Sequence, residues 1–271
     1  MHSTRFYRII EFCRLLSLIY FIIRFQRGEG KIGKHIKYSC GYLWEQGKRQ
    51  KNQDSLALWQ MSRGKENRIM GIICDGIGGL QEGENASGYV VRQMASWFFA
   101  RGCRIRGKKK LETEINQLTF QIHEELKAYG EGKGIRLGTT MTLFVAAGRR
   151  FYWYHAGDSR LYLLRRGKLY QLTGDNREED GALNRAIGTG EWRAPTGRWK
   201  RFFGQDKLLL CTDGFYRGLS SEDICTCLSR EIFQESQANR MLQQIGQRKL
   251  AMGEKDNISA LYCGRYVERM R

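Results

Sequence analysis

The stretch TTMTLFVAAGRRFYWYHAGDSRLYLLRRGKLYQL, residues 139–172, contains short apolar runs separated by turn-forming pairs of residues. Gly148-Arg149, Gly157-Asp158 and Arg166-Gly167 mark the turns. Closely spaced strands that are joined by glycine-containing turns form a meander of hairpins. The stretch therefore predicts antiparallel sheet rather than repeated strand–helix–strand units.

Helices are predicted in pairs on both sides of this meander, because apolar residues recur there at helical spacing. They occupy residues 84–99, 111–129, 221–228 and 231–248. Further strands are predicted at residues 36–43, 55–59, 68–74, 207–211 and 257–263. Residues 174–204 have weak periodicity and are predicted to be a surface excursion. This order favours an α+β fold in which stacked sheets are covered by helices.

The composition limits the class of protein. The 271 residues suit one large domain or two small ones. The net charge of +18 fits either a solubility surface with a basic N-terminal arm or attraction to anionic partners, such as phosphorylated proteins or a membrane surface. No helix-turn-helix, zinc-finger or aromatic RNA-binding signature is present, so no specific nucleic acid is expected. Basic, non-specific nucleic-acid binding stays an alternative that rests on charge alone. The eight scattered cysteines fit buried free thiols in a reducing cytosol.

The N-terminal residues 1–35 are predicted to be a basic and apolar appendage. The uncharged run at residues 15–23 is too short to span a membrane, and no small-residue cleavage site of a secretory signal follows it. Helical spacing of apolar residues from Phe6 to Ile23 indicates an amphipathic helix, which either contacts a membrane or packs on the protein. The expected location is cytoplasmic or membrane-associated.

Three aspartates stand at the ends of apolar runs. Asp75 follows GIIC, Asp213 follows LLLCT, and Asp256 comes two residues before ISALYC. A strand that ends in aspartate places a carboxylate at the rim of a sheet, and three such rims can converge. Clustered carboxylates with few histidines favour hard cations such as Mg²⁺ or Mn²⁺. The pattern predicts a metal-dependent enzyme, although each Asp-Gly pair alone would also suit a plain turn.

Six motifs in this order resemble the metal-dependent type 2C protein phosphatases (the PPM family), in the short form of its bacterial members. They are Arg49 with NQDS (52–55), DGIGG (75–79) with GE (83–84) and AS (86–87), GTT (138–140), GDSR (157–160), DG (213–214) and DN (256–257). The resemblance covers residues 36–265 and leaves 266–271 as a basic tail. It implies a β-sandwich of two antiparallel sheets flanked by helices, in four layers α-β-β-α.

The resemblance also implies a site for two or three Mg²⁺ or Mn²⁺ ions. Asp75 would bridge two ions, the carbonyl of Gly76 would bind one of them, and Asp213 and Asp256 would bind the other. Two divalent ions that activate one water need such a shared carboxylate. Asp158 would help Asp213 to hold a weaker third ion, or would serve only as a hairpin turn residue.

Two further residues are implied in catalysis. Asp54 would hold a metal-bound water from outside the ligand set. Arg49 would bind the substrate phosphate, because its planar guanidinium can pair with two phosphate oxygens. The other interpretation of Arg49 is a solvated residue of the basic run 48–51. Gln53 replaces the glutamate of related animal enzymes and is too poor a ligand to be assigned to a metal.

Some positions depart from the family pattern. Ile77 stands where some members carry a histidine that acts as general acid, so the identity of the acid is open. Residues 173–176 depart from the family's Asp-His-Ser pattern, and substrate recognition around 175–204 transfers least well. His155 is expected to pack in the core or make a local hydrogen bond. Arg185 is a lesser candidate for substrate contact.

The function implied by the resemblance is that of a protein-serine/threonine phosphatase. A water that bridges two divalent cations would attack phosphoserine or phosphothreonine in line, without a phosphoenzyme. The implied partners are phosphorylated proteins and a cognate Ser/Thr kinase in bacterial signalling, and the chain is expected to be a monomer. The alternative is a catalytically weak pseudophosphatase that binds a phosphoprotein or a kinase.

Overall fold

Two antiparallel sheets of five strands each are stacked face to face in the computed structural model, which describes residues 35–63, 66–77, 80–105 and 107–268. The first sheet has the order β1-β10-β9-β6-β7, and the second has the order β2-β3-β4-β5-β8. The strands are β1 His35–Glu45, β2 Asp54–Arg63, β3 Glu66–Asp75, β4 Met141–Ala147, β5 Arg150–Ala156, β6 Arg160–Arg165, β7 Lys168–Gln171, β8 Thr196–Arg201, β9 Lys207–Cys211 and β10 Ile258–Glu268.

Helices cover the outer face of each sheet. Helices α1 (Gly83–Ala100) and α2 (Lys108–Lys133) bury apolar side chains against the second sheet. Helices α4 (Ser221–Ser229) and α5 (Glu235–Ala251) do the same on the first sheet, where the short helix α3 (Asp213–Tyr216) also packs. A third apolar cluster, which includes Leu56, Phe144 and Leu210, fills the space between the sheets. The predicted four-layer α-β-β-α sandwich is confirmed.

Strand register brings the functional motifs to one end of the sandwich. Asp54 opens β2 and is the direct cross-strand partner of Asp75, which closes β3. In the other sheet, Cys211 at the end of β9 pairs with Ala260 near the start of β10. Because the two strands are antiparallel, the end of β9 lies beside the start of β10. The residues that follow β9 therefore lie close to the residues that precede β10.

The surface excursion predicted for residues 174–204 is wrong in its last part. Residues Thr196–Arg201 form β8, which pairs with β5 and completes the second sheet. The strand lies at an edge, and almost all of its side chains are exposed and basic or polar. It therefore lacks the apolar alternation by which strands are recognised. Strand β10 also extends beyond the predicted strand 257–263, to Glu268.

The predicted amphipathic helix and the appendage 1–35 lie almost wholly outside the described residues, as does the end of the basic tail. In the described part of the chain, no helix is long and apolar enough to cross a membrane. The cysteines of the described residues are free thiols, and Cys74, Cys211 and Cys263 are fully buried in the sheets. This agrees with the interpretation of the cysteines as packed thiols.

Candidate metal and phosphate site

Strand ends of both sheets surround a cavity of about 300 Å³ at one end of the sandwich. Among the described residues, the charged side chains that line it are all aspartates and arginines. These are Asp75, Asp158, Asp213, Asp256, Arg49, Arg177 and Arg217. Every aspartate that the sequence assigned to metal binding therefore lines one cavity, and the backbone of Gly76 lines it as well.

Two threonines fix the backbone of Asp75. Thr140 Oγ1 accepts a hydrogen bond from the Asp75 N–H at 2.9 Å, and Thr139 Oγ1 donates one to the Asp75 carbonyl at 2.8 Å. The Thr140 N–H donates to the same carbonyl at 2.8 Å. The GTT motif therefore contributes more than the packing of β-branched side chains in the sheet. Its hydroxyl groups also hold the strand end that carries the central carboxylate.

Close packing of the backbone explains the glycine at position 76. The Gly76 N–H donates to the Gln53 carbonyl at 3.1 Å. A Cβ atom at Gly76 would lie 2.5 Å from the carbonyl of Gly83 and 2.9 Å from the carbonyl of Gln53. Only glycine avoids this overlap. The motif residue Gly83 is thus the neighbour against which Gly76 packs.

Asp213 and Asp256 approach each other from the ends of neighbouring strands. Asp213 opens helix α3 directly after β9, and Asp256 precedes β10. A Cβ atom at Gly214 would overlap the carbonyl of Asn257 and lie 3.2 Å from the Asp256 side chain. The second Asp-Gly pair therefore also permits a close backbone approach, between the two chain segments that carry carboxylates.

Arg49 lies at the mouth of the cavity and is held by Asp256. Its Nε and Nη2 atoms lie 3.0 Å from the two Asp256 carboxylate oxygens, and 48% of its side chain is exposed. The loop that carries Arg49 is fixed by Asn257. The amide of Asn257 donates to the carbonyls of Gln46 and Lys51 at 2.8 and 3.0 Å. The positioning role of Asn257 is a finding of the structure, since the sequence suggested only its membership of a motif.

Asp54 is buried rather than part of the cavity surface. Its side chain accepts a hydrogen bond from Thr212 Oγ1 at 3.0 Å, and only 1% of the residue is exposed. Burial, together with the charges of Asp213 and Asp256, raises the pKa of Asp54 to about 7 despite this hydrogen bond. Asp54 can thus change its protonation state near neutral pH in the ion-free protein, and it lies beside the cavity as the cross-strand partner of Asp75.

The carboxylates raise one another's pKa values. Burial and the neighbouring charges of Asp54, Asp213 and Asp158 raise the pKa of Asp75 well above its usual range. Burial and the charge of Asp158 also raise the pKa of Asp213, although Arg217 opposes this rise. Such a cluster of like charges is stabilised by any added positive charge.

Two arginines that the sequence analysis did not assign enter the site. Arg217 Nη2 lies 2.7 Å from Asp213 Oδ2, and Arg217 follows Asp213 by four residues, at the end of helix α3. Arg177 Nη2 forms a short ion pair with Asp158 Oδ2 and lies 3.6 Å from Asp213 Oδ2. The i,i+4 spacing could have identified Arg217. No local pattern links Arg177 to either aspartate.

The remaining candidates bring no titratable group into the cavity. His155 is buried, and its ring nitrogens bond to Thr142 Oγ1 at 2.9 Å and to the Gly174 carbonyl at 3.0 Å. Burial lowers the pKa of His155 and keeps the ring neutral. Arg185 donates to Thr196 Oγ1 at 2.6 Å and does not line the cavity. Ile77 does line it, without a titratable group.

The donor set suits a hard divalent cation, since it consists of carboxylate oxygens and backbone carbonyls. Arginines nevertheless hold three of these carboxylates, so no group of three Asp, Glu, His or Cys side chains in the described residues is arranged as a metal site. A cation at Asp256 or Asp213 would compete with Arg49 or Arg217 for the carboxylate oxygens. Asp75 has no such ion pair among the described residues, and burial and the neighbouring carboxylates raise its pKa.

A family model described as Protein phosphatase 2C matches residues 45–251. The serine/threonine protein phosphatase PstP of Mycobacterium tuberculosis is 29% identical over 209 residues, which are 70% of this chain and 39% of PstP. This chain therefore spans less than half the length of that relative. The serine/threonine phosphatase stp of Listeria monocytogenes is 25% identical over 240 residues, which are 80% of this chain and 91% of stp.

Solved structures share the fold. The catalytic domain of PstP in complex with two manganese ions matches with a TM-score of 0.69 and 25% identity, covering 86% of this chain and 100% of that one. The serine/threonine phosphatase of S. agalactiae matches with a TM-score of 0.73 and 22% identity, with the same coverage. The second likeness concerns the fold alone.

Proposed function

The chain belongs to the protein phosphatase 2C family, and from this membership we propose that it hydrolyses phosphoserine and phosphothreonine in proteins with the help of bound divalent cations. The observation that supports this most is the convergence of Asp75, Asp213 and Asp256 on one cavity with Arg49 at its mouth. The substrates would be phosphorylated proteins, as the names of the bacterial relatives suggest.

We propose that Asp75 is shared by two Mg²⁺ or Mn²⁺ ions, with the Gly76 carbonyl on one ion and Asp213 and Asp256 on the other. The solved PstP domain holds two manganese ions, which supports this number. Bound divalent cations would neutralise phosphoryl oxygens and lower the pKa of a water molecule. The chain's own contribution is a set of carboxylates whose mutual repulsion such cations relieve.

Arg49 would bind and orient the phosphate. Its guanidinium already makes a two-point contact with a carboxylate, the geometry that also suits a phosphate. About half of the side chain is exposed at the cavity mouth, where a phosphorylated residue would enter. A cation bound at Asp256 would compete with Arg49 for the carboxylate oxygens, which would weaken this ion pair and leave the guanidinium freer to contact substrate. Phosphoryl transfer depends mostly on positioning and charge neutralisation.

Asp54 would hold a water by hydrogen bonding from beside Asp75. Its pKa of about 7 is that of the ion-free site, and cations bound at the neighbouring aspartates would lower it. Thr212 orients this carboxylate from the opposite sheet. Ile77 offers no proton to the leaving serine or threonine oxygen. That proton would therefore come from water that enters the exposed cavity.

Hydrolysis of a phosphothreonine peptide tests the proposal, measured with EDTA, Mg²⁺ or Mn²⁺ on the full chain and on Asp213→Asn. Turnover should require a metal. The variant should lose at least about 100-fold of it, because loss of a direct ligand should cost no less than the roughly 10- to 100-fold that loss of a residue behind a ligand costs. Circular dichroism would check that the variant is folded. Metal-independent turnover, or a variant as active as the wild type, would refute the assignment.

A non-catalytic scaffold is the second candidate. It is favoured by the ion pairs of Arg49, Arg177 and Arg217, which already neutralise part of the carboxylate cluster. A folded wild type that shows no turnover with either metal but binds a phosphothreonine peptide would support this candidate. Peptide affinity should then be unaffected by Asp213→Asn.

A further inference from the structure

Arg177 lies where two of the site's carboxylates face each other. Its Nη2 atom contacts Asp158 Oδ2 closely and lies 3.6 Å from Asp213 Oδ2. Its Nη1 atom donates to the Gly181 carbonyl at 2.6 Å. Asp158 is 2% exposed. Its backbone carbonyl accepts a hydrogen bond from the Tyr216 hydroxyl at 3.2 Å. One guanidinium thus supplies the positive charge that this buried carboxylate needs.

The backbone before Arg177 is fixed, so this contact does not depend on a long flexible side chain alone. The Asn176 N–H donates to the Gly157 carbonyl at 2.8 Å, and its side chain accepts from the Gly157 N–H at 3.1 Å. Asp175 accepts two hydrogen bonds from Arg160, at 3.0 and 2.7 Å. The segment is therefore fastened to the turn that carries Asp158.

We propose that Arg177 is a resident cation, which occupies the position between Asp158 and Asp213 and keeps a divalent ion from binding there. This rests on the proposed function, since it concerns the metal content of the same site. The Arg177 guanidinium donates a hydrogen bond to the Gly181 carbonyl and forms an ion pair with Asp158. An entering ion would have to displace the guanidinium, and both of these contacts would be lost. The chain would therefore bind ions at Asp75 and Asp256 without a further ion at Asp158.

Arg217 provides a matched control. It also pairs with Asp213 Oδ2, at 2.7 Å, but it does not contact Asp158, and 52% of its side chain is exposed. Removing Arg217 takes away the same charge from the same carboxylate. It leaves the pair between Arg177 and Asp158 in place.

The experiment counts Mn²⁺ bound to the full chain by electron paramagnetic resonance, without substrate. Arg177→Gln should bind one ion more than the wild type, whereas Arg217→Gln should bind the wild-type number. Arg177→Gln combined with Asp158→Asn should lose the additional ion. Equal numbers in the wild type and Arg177→Gln would overturn the inference. A wild type that binds no Mn²⁺, beside a variant that binds one, would refute the two-ion proposal but support this inference.

A separate observation concerns the open edge of the sandwich, between the edge strands β7 and β8. A groove of about 890 Å³ lies there, and its charged lining residues are all basic. They are Lys108, Arg165, Arg198 and Lys200. Arg165 is neutralised by two bonds to Asp206, at 2.9 and 2.7 Å. The other three have no carboxylate partner in the described part of the chain.

The groove adjoins the site of the proposed chemistry. Gly174, Asn176 and Thr196 line the groove, and Arg177, the next residue after Asn176, lines the carboxylate cavity. Arg198 and Lys200 are two residues apart on β8, so they project from the same face of the strand, and both are exposed. A polypeptide with its phosphorylated residue in the cavity could lay its neighbouring residues along these cations.

We propose that this groove binds an acidic segment of the phosphoprotein substrate, beside the phosphorylated residue. The expected effect of the groove on catalysis rests on the proposed function. The groove carries charge that is complementary to an acidic peptide, because its described lining holds three unpaired cations and no carboxylate. Charges on an edge strand can instead serve to prevent edge-to-edge association. The test must therefore separate peptide binding from aggregation.

The probes are two phosphothreonine peptides, one with glutamates next to the phosphothreonine and one with glutamines in their place. Arg198→Gln combined with Lys200→Gln should lower kcat/KM for the acidic peptide by about 5- to 10-fold relative to the glutamine peptide, since each exposed charge pair contributes only modestly. The control removes the exposed charges Arg104 and Arg240, which line neither groove nor cavity, and should leave the ratio unchanged.

Fluorescence anisotropy of the labelled acidic peptide gives a second readout that does not need turnover. The groove variant should bind it more weakly by the same factor, and added salt should reduce the difference. An unchanged affinity in a variant that aggregates would overturn the proposal and assign these charges to edge protection. If the enzyme proved inactive while the groove variant still lost affinity, only the proposed function would fail.

Discussion

Single carboxyl groups determine the character of the site. Asp54, Asp75 and Asp213 all have pKa values raised by burial and by one another's charge. A carboxyl group whose pKa is raised on folding binds protons more tightly in the folded state. Its contribution to stability is therefore lost as the pH rises above the usual aspartate range towards the folded pKa. The ligand-free protein bears this cost at neutral pH.

Asp75→Asn should stabilise the protein when no metal is present. The substitution removes the most strongly perturbed negative charge, and the structure shows no ion pair of Asp75 among the described residues that would be lost. In EDTA at pH 7.5, the thermal midpoint should rise by about 2–4 °C, the shift that corresponds to about 1 kcal/mol for a domain of this size. A lower midpoint than that of the wild type would show that Asp75 is not repelled by its neighbours.

Thr212 is the second residue whose role can be measured. Its hydroxyl donates to Asp54 Oδ2 at 3.0 Å and accepts from the Ser259 N–H at 3.2 Å, inside the protein. Thr212→Val keeps the volume but removes one hydrogen bond to the buried Asp54 carboxylate and the hydroxyl that accepts from the Ser259 N–H, so the free energy of unfolding should fall by about 1–3 kcal/mol. Urea unfolding measures this. Thr212→Ser retains the hydroxyl and should lose less. Equal losses would assign the effect to packing.

Elements differ in how far the sequence determines them. The meander 139–172 and helix α1 follow from apolar spacing and turns, and the structure confirms them. Strand β8 could not be found in this way, because an exposed basic edge strand carries no apolar pattern. The aspartates Asp75, Asp213 and Asp256 could be predicted because each stands at a strand end. Arg177 could not, since a tertiary contact alone brings it to Asp158.

The segment before Arg177 is an element whose anchoring can be tested. Arg160 makes two hydrogen bonds to Asp175, and its guanidinium lies 3.7 Å from the centre of the Tyr216 ring. Arg160→Lys keeps the charge but loses the two-point contact and most of the stacking. Tryptic cleavage after Arg177 should become several-fold faster. The control is Arg150→Lys, because the Arg150 guanidinium stacks on the Trp199 ring and not on Tyr216. This variant should not change the cleavage rate. Unchanged cleavage in Arg160→Lys would show that other contacts hold the segment.

The whole molecule assembles the site from both sheets. The second sheet supplies Asp54 and Asp75 as a cross-strand pair, and the first supplies Asp213 and Asp256 from β9 and β10. The position of the site therefore depends on how the sheets stack, and the buried cluster between them fixes that stacking. Sequence motifs indicated which residues would meet, whereas the ion pairs among them could be seen only in the folded chain.

Metal stabilisation should depend on pH for the whole molecule. The raised pKa values of Asp54, Asp75 and Asp213 mean that protons compete with cations for these groups at acidic pH. The increase in thermal midpoint caused by Mn²⁺ should therefore be larger at pH 8 than at pH 5.5, measured against EDTA at each pH. A larger increase at pH 5.5 would show that protons do not compete with Mn²⁺ for these three aspartates.

The proposed site depends above all on Asp75 as a carboxylate shared by two divalent ions, and counting bound Mn²⁺ by electron paramagnetic resonance tests this sharing. The wild type should bind two ions. Asp256→Asn should weaken the binding of one ion, because it alters a ligand of that ion alone, and Asp75→Asn should weaken both. If Asp75→Asn still bound two ions with wild-type affinity, Asp75 would not be the shared ligand, and the proposed two-ion site would be wrong.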